Sequence, residues 1–300
     1  MRKFLFLILL LSIFGSVFAQ NDGAGNTGLA FLKLGVTSRA VSLGEAVVSN
    51  SSDASATHYN PAGLFLGSDV NALFMHNEQI LGVRTEYLAA KVKFEKLAFG
   101  LNLNNTSVSD IEVREIPGAP LDKFDAQNFA MGLSAAYKIN EMLQVGLTAK
   151  FLYEKIYIDN ASGYAFDFGG LYSKDNLSIG ASFANFGSMT ELRNESTKLP
   201  SSLRVGASYL LNIPSLDGGV RVGADGFKVI DGGKFHVNGG AEFVYKDFLS
   251  VRIGYQSGYE DRNITTGIGL KYKAFSLDYA FIPYRFSLGS SHTITVGTSF

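Results

Sequence analysis

The side chains able to do covalent or metal chemistry are few and far apart. The four histidines, His58, His76, His236 and His292, fall singly along the 300 residues, without the close spacing by which imidazoles share a metal ion. No cysteine is present, which removes disulfides, thiolate metal sites and cysteine nucleophiles together. No G-x-S-x-G elbow occurs, so a serine nucleophile would need a histidine brought to it from another strand. One phosphate-binding pattern is present literally, Gly23-Ala24-Gly25-Asn26-Thr27-Gly28. It lacks the preceding strand of a βαβ unit, so these glycines read as a flexible leader and not as a dinucleotide cradle. The expectation is a protein without cofactor, metal or enzymatic activity.

Charge is informative through its placement. Lys and Arg number 26 against 27 Asp and Glu, a balance without the basic footprint of a nucleic-acid-binding protein. Within segments of about ten residues, apolar and polar positions alternate. In 143–153 one phase holds Leu143, Val145, Leu147, Ala149, Phe151 and Tyr153, and the other carries Gln144, Gly146, Thr148 and Lys150. Lys138, Lys150, Asp167, Arg204, Arg221, Glu242, Arg252, Lys271 and Asp278 all fall on the polar phase of their segments. Alternation with period two is the mark of a strand with unlike faces. An Arg or Lys on a lipid-facing strand position costs roughly 2–4 kcal/mol near the bilayer midplane, and this segregation is what such a cost enforces.

The elements that must position these residues begin with an export signal. Arg2 and Lys3 precede the apolar run from Phe4 to Phe14, and Val17-Phe18-Ala19 supplies small residues for cleavage, so residues 1–19 read as a signal peptide. From residue 70 to 300, fourteen strand-like segments follow one another, near 70–76, 83–94, 96–106, 126–139, 143–157, 162–173, 176–185, 202–211, 217–228, 233–246, 248–257, 263–273, 275–283 and 291–300. The connections at Glu95, Asn140–Met142, Lys174–Asp175, Asn212–Ser215, Asp247 and Ala274 are tight. Those between them include long segments, 107–125 and 186–201, with moderate ones at 77–82, 257–262 and 284–290. Short and long connections thus alternate, as in an outer-membrane barrel with both ends in the periplasm. On that topology Tyr137, Tyr172, Tyr209, Tyr245 and Tyr272 ring the periplasmic interface as an aromatic girdle. Phe300 closes the chain on the outward phase and resembles the C-terminal signal read by the barrel assembly machinery. The fold class is therefore all-β, a transmembrane up-and-down antiparallel β-barrel of about fourteen strands in the bacterial outer membrane.

Residues 20–69 carry no strand pattern. Leu29, Phe31, Leu32, Leu34 and Val36 form an apolar cluster, Asp53 is placed to cap a helical turn running to Tyr59, and Pro61 ends it. A partly helical plug inside the barrel accommodates these features; a free periplasmic tail would leave the apolar cluster in water.

The stretch Gly28-Leu-Ala-Phe-Leu-Lys-Leu-Gly-Val-Thr-Ser-Arg-Ala-Val-Ser-Leu-Gly-Glu-Ala resembles the N-terminal region of the PorV/PorQ family, as does Tyr59-Asn60-Pro61-Ala62-Gly63-Leu64. Leu277-Asp278-Tyr279-Ala280-Phe281 with Leu288-Gly289 and His292 is similar to that family's C-terminal end. The family is related to FadL-like channels, which have fourteen strands and an N-terminal hatch with a similar Asn-Pro-Ala. The resemblance implies either uptake or passage of hydrophobic small molecules, the leading expectation, or service in type IX secretion, with protein cargo held or shuttled at the outer membrane. It also implies membrane lipids, hydrophobic ligands or secretion-system proteins as partners, and a hinge or seal at Asn60, Pro61 and Ala62. Independently of it, Leu152, Leu171, Leu210, Val244 and Ile282 are apolar residues on the lumenal phase. Leu171, Leu210 and Val244 are expected near the periplasmic end, seating Leu29, Phe31 and Leu32 of the plug or lining a ligand pocket.

Overall fold

A computed structural model describes residues 25–300; the expected signal peptide and the first residues of the glycine-rich leader lie outside them. Fourteen strands close into one barrel: β1 (Val70–Glu78), β2 (Val83–Lys93), β3 (Leu97–Val113), β4 (Asp122–Lys138), β5 (Leu143–Ile156), β6 (Asp159–Lys174), β7 (Leu177–Met189), β10 (Ser202–Ile213), β11 (Gly218–Val229), β12 (Phe235–Tyr245), β13 (Leu249–Gln256), β14 (Ile264–Tyr272), β15 (Phe275–Pro283) and β16 (Ser290–Ser299). The remaining pair, β8 (Glu191–Leu192) and β9 (Glu195–Ser196), forms a small hairpin in the connection from β7 to β10. Every barrel pairing is antiparallel, and β1 meets β16 in the register Asn71↔Ser299 to Glu78↔His292. Closure leaves no strand edge, the condition for a backbone that must find all its hydrogen bonds within the hydrocarbon layer.

The alternation decides which side faces lipid. On β5, Leu143, Val145, Leu147 and Phe151 are exposed, whereas Gln144, Thr148, Lys150 and Leu152 are buried. The polar phase is thus the covered one, the reverse of a soluble sandwich. Tyr137, Tyr172, Tyr209, Tyr245 and Tyr272 are exposed near the ends of β4, β6, β10, β12 and β14, beside the tight connections. Phe300 is exposed at the same end and exchanges backbone hydrogen bonds with Val70. This is the end we call periplasmic.

The opposite end differs from the sequence expectation in one respect. The segments 107–125 and 186–201 are in large part strand: β3 continues to Val113, β4 begins at Asp122, and β7 runs to Met189 before the small hairpin. These extensions carry polar residues on both phases, because strands projecting beyond the bilayer are wetted on both sides. Alternation fades there while backbone pairing persists, with a register shift between Val108 and Ile111, where Asp110 takes a positive φ of 59°, and another on β7 between Phe183 and Phe186, where Asn185 takes 62°.

The described residues preceding β1 fill the lumen. They contain two short helices, α1 (Ser38–Ser42) and α2 (Ala56–Tyr59), and two 3-10 turns, Ala30–Lys33 and Pro61–Phe65. Helix α1 lies against β13 to β16, while the Pro61–Phe65 turn lies against β2 to β6 across the barrel. Thr37 caps α1 by accepting from the Ala40 N–H, and Asn60 caps the second 3-10 turn by accepting from Ala62 N–H.

Candidate functional site

Where the lumenal segment presses on the wall, the wall has lost its side chains. Gly146 and Gly169 lie under Asn60 and Pro61, Gly180 under Val48, and Gly240 and Gly254 under Leu43. A methyl group at Gly146 would stand 2.5 Å from the Pro61 carbonyl carbon. In an isolated sheet such glycines weaken the strand; here they admit a second backbone at van der Waals distance.

Polar contacts then tie the segment to the wall. Arg39 Nε donates to Glu242 Oε1 at 3.1 Å and Arg39 Nη2 to Glu242 Oε2 at 2.8 Å. Arg252 Nε donates to the same Glu242 Oε1 at 2.7 Å, and its Nη1 to Asp278 Oδ1 at 2.6 Å. A row of four alternating charges therefore runs from α1 through β12 and β13 to β15. Farther round, Arg204 Nη1 donates to the Glu45 carbonyl at 2.7 Å, and Val48 N–H donates to Asp225 Oδ2 at 2.9 Å. Ser38 N–H donates to Thr295 Oγ1 at 2.8 Å, and Ser38 Oγ to the Thr293 carbonyl at 2.9 Å. Buried charges are tolerable only when paired and hydrogen-bonded, and removing one partner leaves the other stranded at a cost of about 3–5 kcal/mol. The segment is thus held by the wall's need for counter-charges as much as by packing. Arg39 and Glu45 are the residues that sequence reasoning missed. Their signal was the set of lumenal wall charges, which require partners, and these two ions stand in an otherwise largely apolar stretch.

Asn60 and Ala62 are fully buried, and Pro61 between them is buried as well. Asn60 Nδ2 donates to the Val48 carbonyl at 2.8 Å and to the Gly170 carbonyl at 3.1 Å, joining two parts of the segment to β6. Burial holds the imidazole of neighbouring His58 well below its usual range, and the charges of Lys150 and Arg204 act in the same direction.

The two ends of the lumen are unlike. At the outer end Leu29, Phe31 and Leu32 form one buried cluster with Leu152, Met189 and Leu199, against which Leu192 of the small hairpin packs. Gly28 N–H donates to the Lys198 carbonyl at 3.0 Å. Beside this cluster a cavity of about 300 Å³ is lined by Lys33, Leu34, Phe227, His236, Tyr259 and Arg262, among others. At the periplasmic end a larger cavity of about 600 Å³ is lined mostly by polar and charged groups, with Arg39 and Glu242 at its inner limit.

The expected lumenal leucines separate between these ends. Leu152 packs with Leu29, Phe31 and Leu32. Leu210 and Val244 instead line the polar periplasmic cavity, so their expected packing against Leu29, Phe31 and Leu32 does not occur. The reason is chain direction: the segment starts at the outer end and descends to β1, placing its first apolar residues far from the periplasmic rim. Leu171 is buried on β6, two residues from the Gly169 that underlies Asn60 and Pro61, and Ile282 is half-buried on β15 opposite Ser291. Among the described residues, no group of three or more His, Cys, Asp or Glu is placed to hold a metal.

In fold the chain is similar to solved outer-membrane channels. It superposes on the toluene transporter TodX of P. putida with a TM-score of 0.63 at 12% identity, covering 89% of this chain and 98% of that one. The monoaromatic hydrocarbon channel CymD gives a TM-score of 0.60 at 13% identity, with 91% and 99% covered. A FadL homologue of Pseudomonas aeruginosa gives 0.54 at 10% identity, with 88% and 98% covered. Among curated proteins, none matches in sequence. A family model for the type IX secretion system membrane protein PorP/SprF matches residues 54–298. The matched family is PorP/SprF and not the PorV/PorQ family that residues 28–46, 59–64 and 277–292 resemble; of these stretches only the first lies outside the matched region. The chain is an outer-membrane β-barrel that belongs to the PorP/SprF family of type IX secretion system membrane proteins.

Proposed function

We propose that this protein serves type IX secretion as a closed outer-membrane barrel that binds protein partners at its rim, and that it is not itself a conduit. The observation that carries this reading is the ion-paired seating of the lumenal segment, with Arg39 on Glu242 and Glu45 on Arg204. A hatch that must leave during each passage event would have to strand several buried charges, whereas an anchor never meets that cost. In this reading Asn60, Pro61 and Ala62 are a fixed latch. Deleting the gene in the cell that makes the protein should abolish surface delivery of type IX cargo, and the purified barrel in planar bilayers should show no steady ion conductance. Normal cargo delivery in the deletion strain would refute the proposal.

Passage of hydrophobic small molecules is the second reading. It is supported by the apolar cluster at the outer end of the lumen and by the fold shared with TodX, a toluene transporter. Faster uptake of a labelled monoaromatic by liposomes containing the barrel would favour it over the anchor.

A further inference from the structure

The cavity at the periplasmic end contains two cations, Arg221 and Lys271, that form no ion pair among the described residues. Arg221 on β11 stands directly across from Glu242 on β12, its natural cross-strand partner. Both oxygens of Glu242 are already taken, by Arg39 from the lumenal segment and by Arg252 from β13. Asp278 is held by Arg252 in turn. Three guanidiniums therefore surround one carboxylate, and Arg221 is the one left over. Among the described residues its side chain makes no hydrogen bond or ion pair, and neither does that of Lys271 on β14, which lines the same cavity. The acidic residues that also line it do not answer them. Asp53 accepts from Ser55 beside its own helix, Asp217 pairs with Lys246, and Asp247 sits on the exposed turn between β12 and β13.

The space in front of these cations is created by small wall residues. Gly219, Ser250, Gly269 and Ser276 line it, and the lumenal segment does not descend onto Gly219 as it does onto Gly146, Gly169 and Gly180 higher up. The cavity is walled from lipid by the barrel and closed above by the segment, so its mouth is periplasmic. Arg221 is half-buried and Lys271 exposed, and guanidinium and ammonium groups so placed favour carboxylates, with arginine able to bind bidentately.

We propose that this cavity is the docking pocket for an acidic polypeptide segment of a periplasmic partner, whose carboxylates are received by Arg221 and Lys271. The proposal deepens the anchor reading and rests on it for the identity of the partner as a protein. The test uses the full chain in detergent and a fluorescein-labelled, end-blocked tetraglutamate peptide, with fluorescence anisotropy as the readout. Saturable binding is expected, weakened by salt, and weakened about tenfold or more in Arg221→Gln with Lys271→Gln. Lys138→Gln, in the separate periplasmic groove beside Glu141, should bind as the parent does. Unchanged heat-modifiable gel mobility shows that the double variant is folded. A tetralysine peptide should not bind. Absence of binding, equal binding by the double variant, or displacement by inorganic phosphate as readily as by peptide would each overturn the proposal, the last by reducing the cavity to a general anion site. Failure here with cargo delivery still dependent on the gene would remove the pocket and leave the anchor; peptide binding with normal delivery in the deletion strain would do the reverse.

Discussion

The outer and periplasmic ends of the lumen are closed by different means. Outside, Phe31, Leu32 and Leu152 make an apolar stopper backed by the small hairpin. Toward the periplasm, Arg39 and Glu242 make an ionic seal above an open polar recess. The apolar stopper is nondirectional and tolerates repacking, since its strength scales with buried area. The ionic seal is all-or-none, because each ion depends on its partner. The difference places adaptability on the cell-surface side and a fixed, charged surface on the periplasmic side, where the proposed partner would dock.

That contrast can be broken at either end. The largest effect is expected from Glu242→Gln, which strips the counter-charge from Arg39 and Arg252 together. Urea unfolding in detergent should show a loss of about 3–5 kcal/mol, together with faster proteolysis between α1 and β1. Loss of less than about 1 kcal/mol would mean that water already shares these charges. At the outer end Leu152→Ala should cost about 2–5 kcal/mol by opening a cavity. Its signature should differ, with gain of dye binding at the outer mouth and no change in proteolysis near Arg39. Gly169→Ala tests the wall beneath Asn60 and Pro61. Forcing a methyl group into that contact should cost about 1–3 kcal/mol, and a neutral result would show that the segment shifts freely. The smallest effect is expected from Lys271→Gln alone, within about 0.5 kcal/mol of the parent in stability, because Lys271 is exposed and forms no ion pair among the described residues.

Much of the barrel was legible because lipid on one side and packed charge on the other impose a period of two at every bilayer-crossing strand. Leu143 to Tyr153 shows this as plainly in the sequence as in the structure. The outer ends of β3 and β4 were not legible, since Ser107 to Glu112 carries polar residues on both phases where neither face is buried. The lumenal segment was recognisable from its buried-type residues, Leu29 to Val36. Its direction through the barrel was not, because pairings such as Arg39 with Glu242 and Ser38 with Thr295 join positions more than two hundred residues apart. Local pattern carries no trace of which end a segment enters. Arg221 shows the same limit, because only the three-dimensional register reveals that its opposite carboxylate is already occupied.

The absence of cysteine permits a direct test of the closed lumen. Ser38 Oγ and Thr295 Oγ1 lie 2.9 Å apart, on the segment and on the wall. A Ser38→Cys, Thr295→Cys protein can therefore be locked by oxidation in living cells and released by reductant. Surface delivery of type IX cargo should continue unchanged while the cross-link is formed. Delivery that stops on oxidation and recovers on reduction would show that the segment must move, and the closed-anchor account would be wrong.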